Sequence, residues 1–322
     1  MSPSKILRLA FAGTPDFALP CLEAITQSRH ALVQIFTQPD RPAGRGRRLK
    51  PSPVAQWAQT HYFSVLKPEN NQQLQLDLEK ESKLDLLIVV AYGMLLHEPI
   101  LNFPRLGCWN VHASLLPRWR GAAPIARAVL SGDQRTGISI MKMDSGLDTG
   151  PVVCQQAQII QPGATTDRLT RDLANLGAQI LPDVLDALAD TGLTPMPQDS
   201  HHTCYAAKLQ KQESWIDWTL PATELCRRIW AYNPRPGART RFKDQDLLLW
   251  AAAEISVNQG IITPSEAGRV MSVSDSGIDV ATGRGMVRLL EVQPAGGRRM
   301  SAAQFARGRT MLNARLFSGA PP

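Results

Sequence analysis

The 322-residue chain is sparing with several things that would decide its class outright. It has five cysteines, Cys21, Cys108, Cys154, Cys204 and Cys226, odd in number and widely spaced. Neither a disulfide framework nor a CxxC metal site fits them. His201-His202 is the only adjacent histidine pair, and two neighbouring histidines alone do not hold a metal, so no metal is expected. No apolar run of about 18 residues is present to cross a bilayer, and no secretory leader pattern opens the chain; a reduced, cytoplasmic setting is the expectation. Gly13 does not begin a GxGxxG fingerprint, and no nucleophile elbow or catalytic cysteine context occurs. Dinucleotide binding and covalent catalysis are therefore both poorly supported. Internal repeats and low-complexity blocks are absent as well.

What is there is a basic, ordinary globular composition: net charge +7, with an excess of Lys and Arg in both halves, so a polyanion could be held along the chain. The length suits two domains on a prior of about 150 residues each. The first half alternates strand-like apolar runs with helical stretches, the pattern of a parallel sheet with crossover helices. Ile6 to Ala12 reads as the first strand, with Asp16 or Thr14 capping the helix after it; Ala31 to Thr37 is the second. Helices follow around Val54 to Gln59 and Gln72 to Glu79. The unbroken Leu86-Leu87-Ile88-Val89-Val90, within a strand from Asp85 to Ala91, predicts a central strand buried on both faces. Gly121 to Leu130 reads as a helix, Ile138 to Met143 and Pro151 to Ile159 as strands, and Thr165-Thr166-Asp167 opens a long helix towards Ala189 that Pro182 should kink.

Residues 191–208, with Gly192, Pro195 and Pro197, read as a linker between a domain at 1–190 and another at 209–322. Beyond it, a helix from Pro221 to Tyr232 precedes short apolar runs at Leu247 to Ala251, Gly268 to Val273, Gly277 to Ala281 and Met286 to Val292. Such strands with frequent turns favour a small β-barrel, though periodicity alone leaves other β-rich folds open.

The chemistry concentrates in Asn110-Val111-His112-Ala113-Ser114-Leu115-Leu116-Pro117 and in Ser145-Gly146-Leu147-Asp148-Thr149-Gly150. Alternate residues of a strand share a face, so Asn110 and His112 can enter one cavity while Val111 packs behind. Asp148, between glycines that permit close backbone approach, is the carboxylate to face them. An amide, an imidazole and a carboxylate without a nucleophile suit direct transfer between two bound substrates. Asn110 can donate to a developing oxyanion, His112 can donate there or move a proton, and Asp148 can fix the ring and relay protons.

These segments, together with Phe11 to Phe17, Gln38 to Gly46, Arg118 to Ile125 and Gln293 to Gly296, resemble the methionyl-tRNA formyltransferases along most of the chain. Other folate-dependent formyltransferases share the Asn-x-His and Asp-Thr-Gly core; the Gln38 to Gly46 and Gln293 to Gly296 segments argue for the tRNA-acting family. The resemblance implies a Rossmann-like α/β domain with a mostly parallel sheet, followed by a smaller OB-like barrel that binds tRNA. It implies 10-formyltetrahydrofolate as cosubstrate, methionyl initiator tRNA as acceptor, and a monomer. Asn110, His112 and Asp148 match the family's catalytic trio. Tyr92, Gly93, Leu95, Ser114, Leu115, Leu116 and Pro117 match or border its folate site. From pattern alone, Leu95, Leu96, Leu115 and Leu116 could equally be core.

The stretch from 38 to 53 carries Arg41, Arg45, Arg47, Arg48 and Lys50 against a single acid, Asp40, with mobile glycines inside and prolines at its borders. A loop of this kind after a sheet strand suits RNA. The resemblance implies that it enters the acceptor stem, with Arg45 as the family's loop arginine, and that Lys208 lies near the tRNA end. One departure is Asn233 to Arg239, where the family commonly has aromatics in place of Arg235 and Arg239. The rival readings are a formyltransferase for a small amine such as glycinamide ribonucleotide or an amino sugar nucleotide, a non-catalytic RNA-binding protein, and a hydrolase releasing formate.

Overall fold

A computed structural model describes residues 5–43, 48–81, 83–255 and 264–319. The chain divides into two compact units. Unit 1 comprises 1–124, 135–159 and 170–206; unit 2 comprises 125–134, 160–169 and 207–322.

Unit 1 is built on β1 (Arg8–Gly13), β2 (Ala31–Phe36), a small antiparallel pair β3 (Arg41–Ala43) and β4 (Arg48–Lys50), then β5 (Val65–Leu66), β6 (Leu86–Val90), β7 (Cys108–His112), β8 (Arg135–Lys142) and β9 (Val152–Ile159). Its seven-stranded sheet runs β5-β2-β1-β6-β7-β8-β9. The first five strands of that order pair in parallel, whereas β8 and β9 are antiparallel to their neighbours. Helices α1 (Leu19–Gln27), α2 (Pro53–Thr60), α3 (Asn71–Glu79) and the short α4 (Glu98–Leu101) return the chain between parallel strands. α5 (Pro124–Ser131) falls almost wholly in unit 2; α6 (Thr166–Asp190) has its first four residues in unit 2 and the rest in unit 1, and continues unbroken through Pro182.

Every residue of β6 is buried, as its apolar run dictates. Leu87 and Val89 join a cluster with Phe36, Leu74, Leu78, Tyr92 and Ile100, while pleat alternation sends Leu86, Ile88 and Val90 to the opposite face. At about 1.5–3 kcal/mol for each large side chain fully removed from water, this strand anchors the sheet.

Chain order reverses on either side of β1, which has β2 on one flank and β6 on the other. In open α/β sheets that is where ligand-binding crevices form. Thr14, just past β1, donates its hydroxyl to the Tyr92 carbonyl at 2.7 Å and receives the Gln38 amide at 3.4 Å, so it ties together the loops after β1, β6 and β2. This corrects the expected cap. Neither Thr14 nor Asp16 caps α1; Asp16 lies in a 3-10 turn, Asp16–Ala18, that precedes it. The helix expected from Gly121 begins instead at Pro124; Gly121 has φ +111°, outside the helical region.

Unit 2 carries α7 (Ala222–Ala231), β10 (Ala238–Phe242), β11 (Gln245–Ile255), β12 (Val270–Ser274), β13 (Gly277–Ala281), β14 (Met286–Pro294), β15 (Met300–Ser301), α8 (Ala302–Ala306) and β16 (Leu316–Phe317). The order β12-β13-β14-β11-β10-β16 is antiparallel between successive pairs. Backbone bonds from Val270 to Ala314, Asn313 to Val270 and Leu316 to Gly268 link its two ends, curling the ladder into a barrel. Leu247, Leu249, Ile278, Val280, Val287, Leu289 and Phe305 fill the interior. Trp218 is fully buried there and donates its indole N–H to Thr240. β10 was not expected from the sequence: its Ala-Arg-Thr-Arg-Phe alternates buried and half-buried residues without an apolar run. Arg239 takes its place in that strand, pairing with Leu248, and Arg235 is exposed.

Candidate active site

Asn110 and His112 project from β7 on one face of the sheet, and Val111 on the other. Behind Val111 lies Gly177 of α6; a Cβ there would come within 3.1 Å of the valine side chain and 3.3 Å of Cys21 Sγ, so the helix sits as close as glycine allows. The strand is thereby fixed from the rear.

In front, the loop 143–151 folds back from the end of β8 towards Asn110. Asp148 has φ +53°, a left-handed conformation that costs a non-glycine residue on the order of 1 kcal/mol and that Asp tolerates better than most. Gly150 closes the loop: a Cβ there would collide with the Lys142 carbonyl oxygen. Asp144 pins the other side by accepting the Thr149 hydroxyl at 2.6 Å and the Gly146 amide at 3.1 Å.

The result brings the trio together. Asp148 Oδ1 accepts from Asn110 Nδ2 at 3.3 Å, and Oδ2 accepts the Gly121 N–H at 2.8 Å while standing 3.6 Å from His112 Nδ1. His112 Nε2 lies 3.0 Å from the Trp119 carbonyl. A carbonyl only accepts, so Nε2 carries a proton and Nδ1 is the nitrogen turned to the carboxylate. At 3.6 Å the two groups are in contact but not hydrogen-bonded. His112 is buried and Asp148 nearly so, with 6% and 14% of their side chains exposed.

Thiol chemistry does not compete. Burial pushes the thiols of Cys21 and Cys108 up to about 12, and that of Cys226, where burial is joined by the charge of Glu254, also to about 12. Cys154 is raised by burial too. Cys204 accepts from the Trp119 backbone N–H at 3.2 Å, a structural use. Among the described residues no cluster of three metal-ligating side chains occurs, and no helix is long and apolar enough to cross a membrane.

The residues expected to border folate separate into two kinds. Gly93 (φ +86°) and Leu95, which is 63% exposed, lie open on the loop after β6, and Leu147 beside Asp148 is 52% exposed. Leu115 and Pro117 are half-buried. Tyr92, Ser114 and Leu116 are enclosed by protein. Burial raises the Tyr92 phenol, with the charge of Asp77 adding to it. Ser114 donates to the Arg118 carbonyl, and Ser139 and Gln155 bind the carbonyls of Ser114 and Leu116.

Of the basic residues, Arg41, Arg48 and Lys50 are exposed on β3 and β4, while Arg45 and Arg47 lie outside the described residues. Asp40, the one acid of the 38–53 stretch, is paired with Lys67 at 2.6 Å. Lys50 also borders a shallow cleft of 360 Å³ with Asp16, Trp57 and His61. Lys208 is exposed in unit 2.

Sequence reasoning missed Arg120 and Gln198. Gln198 donates both amide hydrogens, to the carbonyls of Asp148 at 2.8 Å and Gly150 at 2.7 Å, and accepts from Arg120 Nη2 at 2.7 Å and Nε at 3.0 Å. It comes from a proline-rich stretch that carries no local signal of function, yet residues 193–206 pack into unit 1, with Met196 bridged to Val152 and Tyr205 to Arg120.

Comparison with known proteins identifies the family. The formyl transferase family model matches residues 5–185, and the model of the formyl transferase C-terminal domain matches 208–310. The methionyl-tRNA formyltransferase of Halorhodospira halophila is 45% identical over 95% of this chain and 97% of its own, and that of Nitrosomonas eutropha is 44% identical over 95% and 96%. Among solved structures, HypX from Aquifex aeolicus with tetrahydrofolic acid superposes with a TM-score of 0.65 at 13% identity, covering 99% of this chain and 51% of HypX. An N-formyltransferase from Helicobacter canadensis, solved with folinic acid and dTDP-3-aminofucose, gives 0.65 at 14% identity over 88% of this chain and 99% of its own. At those identities the structures speak for the fold alone, whereas the sequence relatives extend over nearly the entire length. The chain belongs to the methionyl-tRNA formyltransferase family.

Proposed function

We propose that the protein transfers the formyl group of 10-formyltetrahydrofolate to the α-amino group of methionyl initiator tRNA. The observation that carries the chemistry is the convergence of Asn110, His112 and Asp148, drawn from a strand and a distant loop onto one face of the sheet. 10-Formyltetrahydrofolate is a substrate here, and the open surface beside the trio fits it. Leu95 and Leu147 offer apolar contact for a flat ring, and the backbone around Gly93, where even a Cβ would meet only Gln38 at 3.8 Å, is free to hydrogen-bond a ring edge.

The neutral amine of the esterified methionine attacks the formyl carbon; a new C–N bond forms, the bond from that carbon to N10 breaks, and the amine proton ends on N10. Negative charge develops on the formyl oxygen. Asn110 has two amide hydrogens and spends one on Asp148, so the second can meet that oxygen. Trp119 fixes the His112 ring through Nε2, so Nδ1 and the Asp148 carboxylate form the pair that takes and returns the proton. Holding both substrates in line supplies much of the acceleration.

Unit 1 thus does the chemistry, and the basic hairpin with residues 209–322 holds the tRNA. We propose that the enzyme works as a monomer in the cytoplasm, with 191–208 as the connecting segment. Supplying 10-formyltetrahydrofolate with methionyl initiator tRNA, methionyl elongator tRNA or no tRNA, and assaying N-formylmethionine and formate separately, tests the proposal. Formylmethionine made chiefly on initiator tRNA supports it. Formate release without acceptor identifies a hydrolase instead.

A further inference from the structure

We infer that Gln198, held by Arg120, is a positioning residue for the reaction: it clamps the backbone on either side of residue 149 and so aims the Asp148 carboxylate at His112. The inference rests on the catalytic reading of Asp148 given above.

Asp148 occupies a left-handed conformation that its own side chain does not enforce, since its carboxylate is committed to Asn110, Gly121 and His112. Something else must hold that backbone, and the two carbonyls that bracket residue 149, those of Asp148 and Gly150, both accept from the Gln198 amide. The amide, moreover, has only one workable orientation. Arg120 is buried, 7% exposed, and can only donate, so it forces the Gln198 oxygen to its side and the NH2 to the loop. Arg120 is itself anchored by backbone bonds to Cys204 and Ala206, one residue before the Gly121 whose N–H holds the same carboxylate. Backbone and carboxylate of Asp148 are thus gripped from adjoining points, and a small rotation at residue 148 would swing the carboxylate from the ring.

Gln198→Glu tests this in the full-length protein. It keeps the length and the acceptor for Arg120 but turns a carboxylate oxygen towards two carbonyl oxygens. Gln198→Met, which removes the donors without adding charge, serves as a second variant should the first unfold. Three readouts are compared with wild type and with Asp148→Asn: kcat, KM for each substrate, and the 15N shifts of the His112 ring. Expected are a fall in kcat of roughly tenfold to a hundredfold with KM nearly unchanged, and a His112 Nδ1 shift displaced in the same direction as in Asp148→Asn, as a misaimed catalytic group requires. Wild-type kcat together with an unmoved His112 signal overturns the inference. If Asp148→Asn itself turns over normally, the catalytic reading fails, and the positioning claim is then decided by the His112 signal alone: displaced in the Gln198 variants it stands, unmoved it falls.

Discussion

Nδ1 of His112 and Oδ2 of Asp148 stand 3.6 Å apart although they come from a strand and a distant loop, and neither would be there without the packing behind it. The histidine is fixed by a strand pressed on Gly177, and the aspartate by a left-handed turn that Gly150 and Gln198 hold shut. The site is a consequence of close approach on both sides of β7.

Gly177→Val is expected to push α6 away from Val111 and Cys21. Overpacking of this kind costs about 1–3 kcal/mol. Urea unfolding should show that loss, and kcat should fall with it because β7 shifts. A variant as stable as wild type would mean that the helix has room to spare.

The hairpin of β3 and β4 presents Arg41, Arg48 and Lys50 to solvent, and the one acid of the 38–53 stretch, Asp40, is paired with Lys67. Replacing Arg48 and Lys50 with alanine should weaken tRNA binding and flatten its dependence on log salt, by a slope of about 0.7–0.9 for each phosphate left without its cation. Formyl transfer at saturating tRNA should change little. An unaltered salt slope would remove the hairpin from the RNA interface.

Asp279 on β13 is buried, which by itself would raise its pKa, but hydrogen bonds from Arg288 and Ser272 outweigh burial and hold it below the ordinary 3.8. A lowered folded-state value means the unfolded chain binds the proton more readily. The pair's contribution is therefore complete above about pH 4, and it declines as pH falls to and through the folded-state value. Hydrogen exchange across β13 and β14 should lose protection in that acid range. Asp279→Asn should lower protection at neutral pH and abolish that part of the acid dependence.

How much of this was legible beforehand follows from where the information lies. β6 was plain because a run buried on both faces needs apolar residues at every position, and Asn110 and His112 were plain because strand alternation fixes their shared face. Asp148 could be singled out through its glycines. β10 was hidden because its inward residues, Ala238, Thr240 and Phe242, alternate with arginines. Arg120 and Gln198 were hidden for a different reason: they meet across 78 positions, and neither carries a periodic or motif signal that points to the other. The residues expected to border folate could be placed on the loops after β6 and β7, but the sequence could not tell that Tyr92, Ser114 and Leu116 turn inward while Gly93 and Leu95 stay open.

The most direct test is single-turnover formyl transfer by Asp148→Asn with saturating 10-formyltetrahydrofolate and methionyl initiator tRNA. A catalytic His112–Asp148 pair requires a rate lower by about a hundredfold or more, with tRNA affinity and the unfolding midpoint close to wild type. A rate equal to wild type would contradict the account, because the proton would then be moving without the carboxylate assigned to manage it.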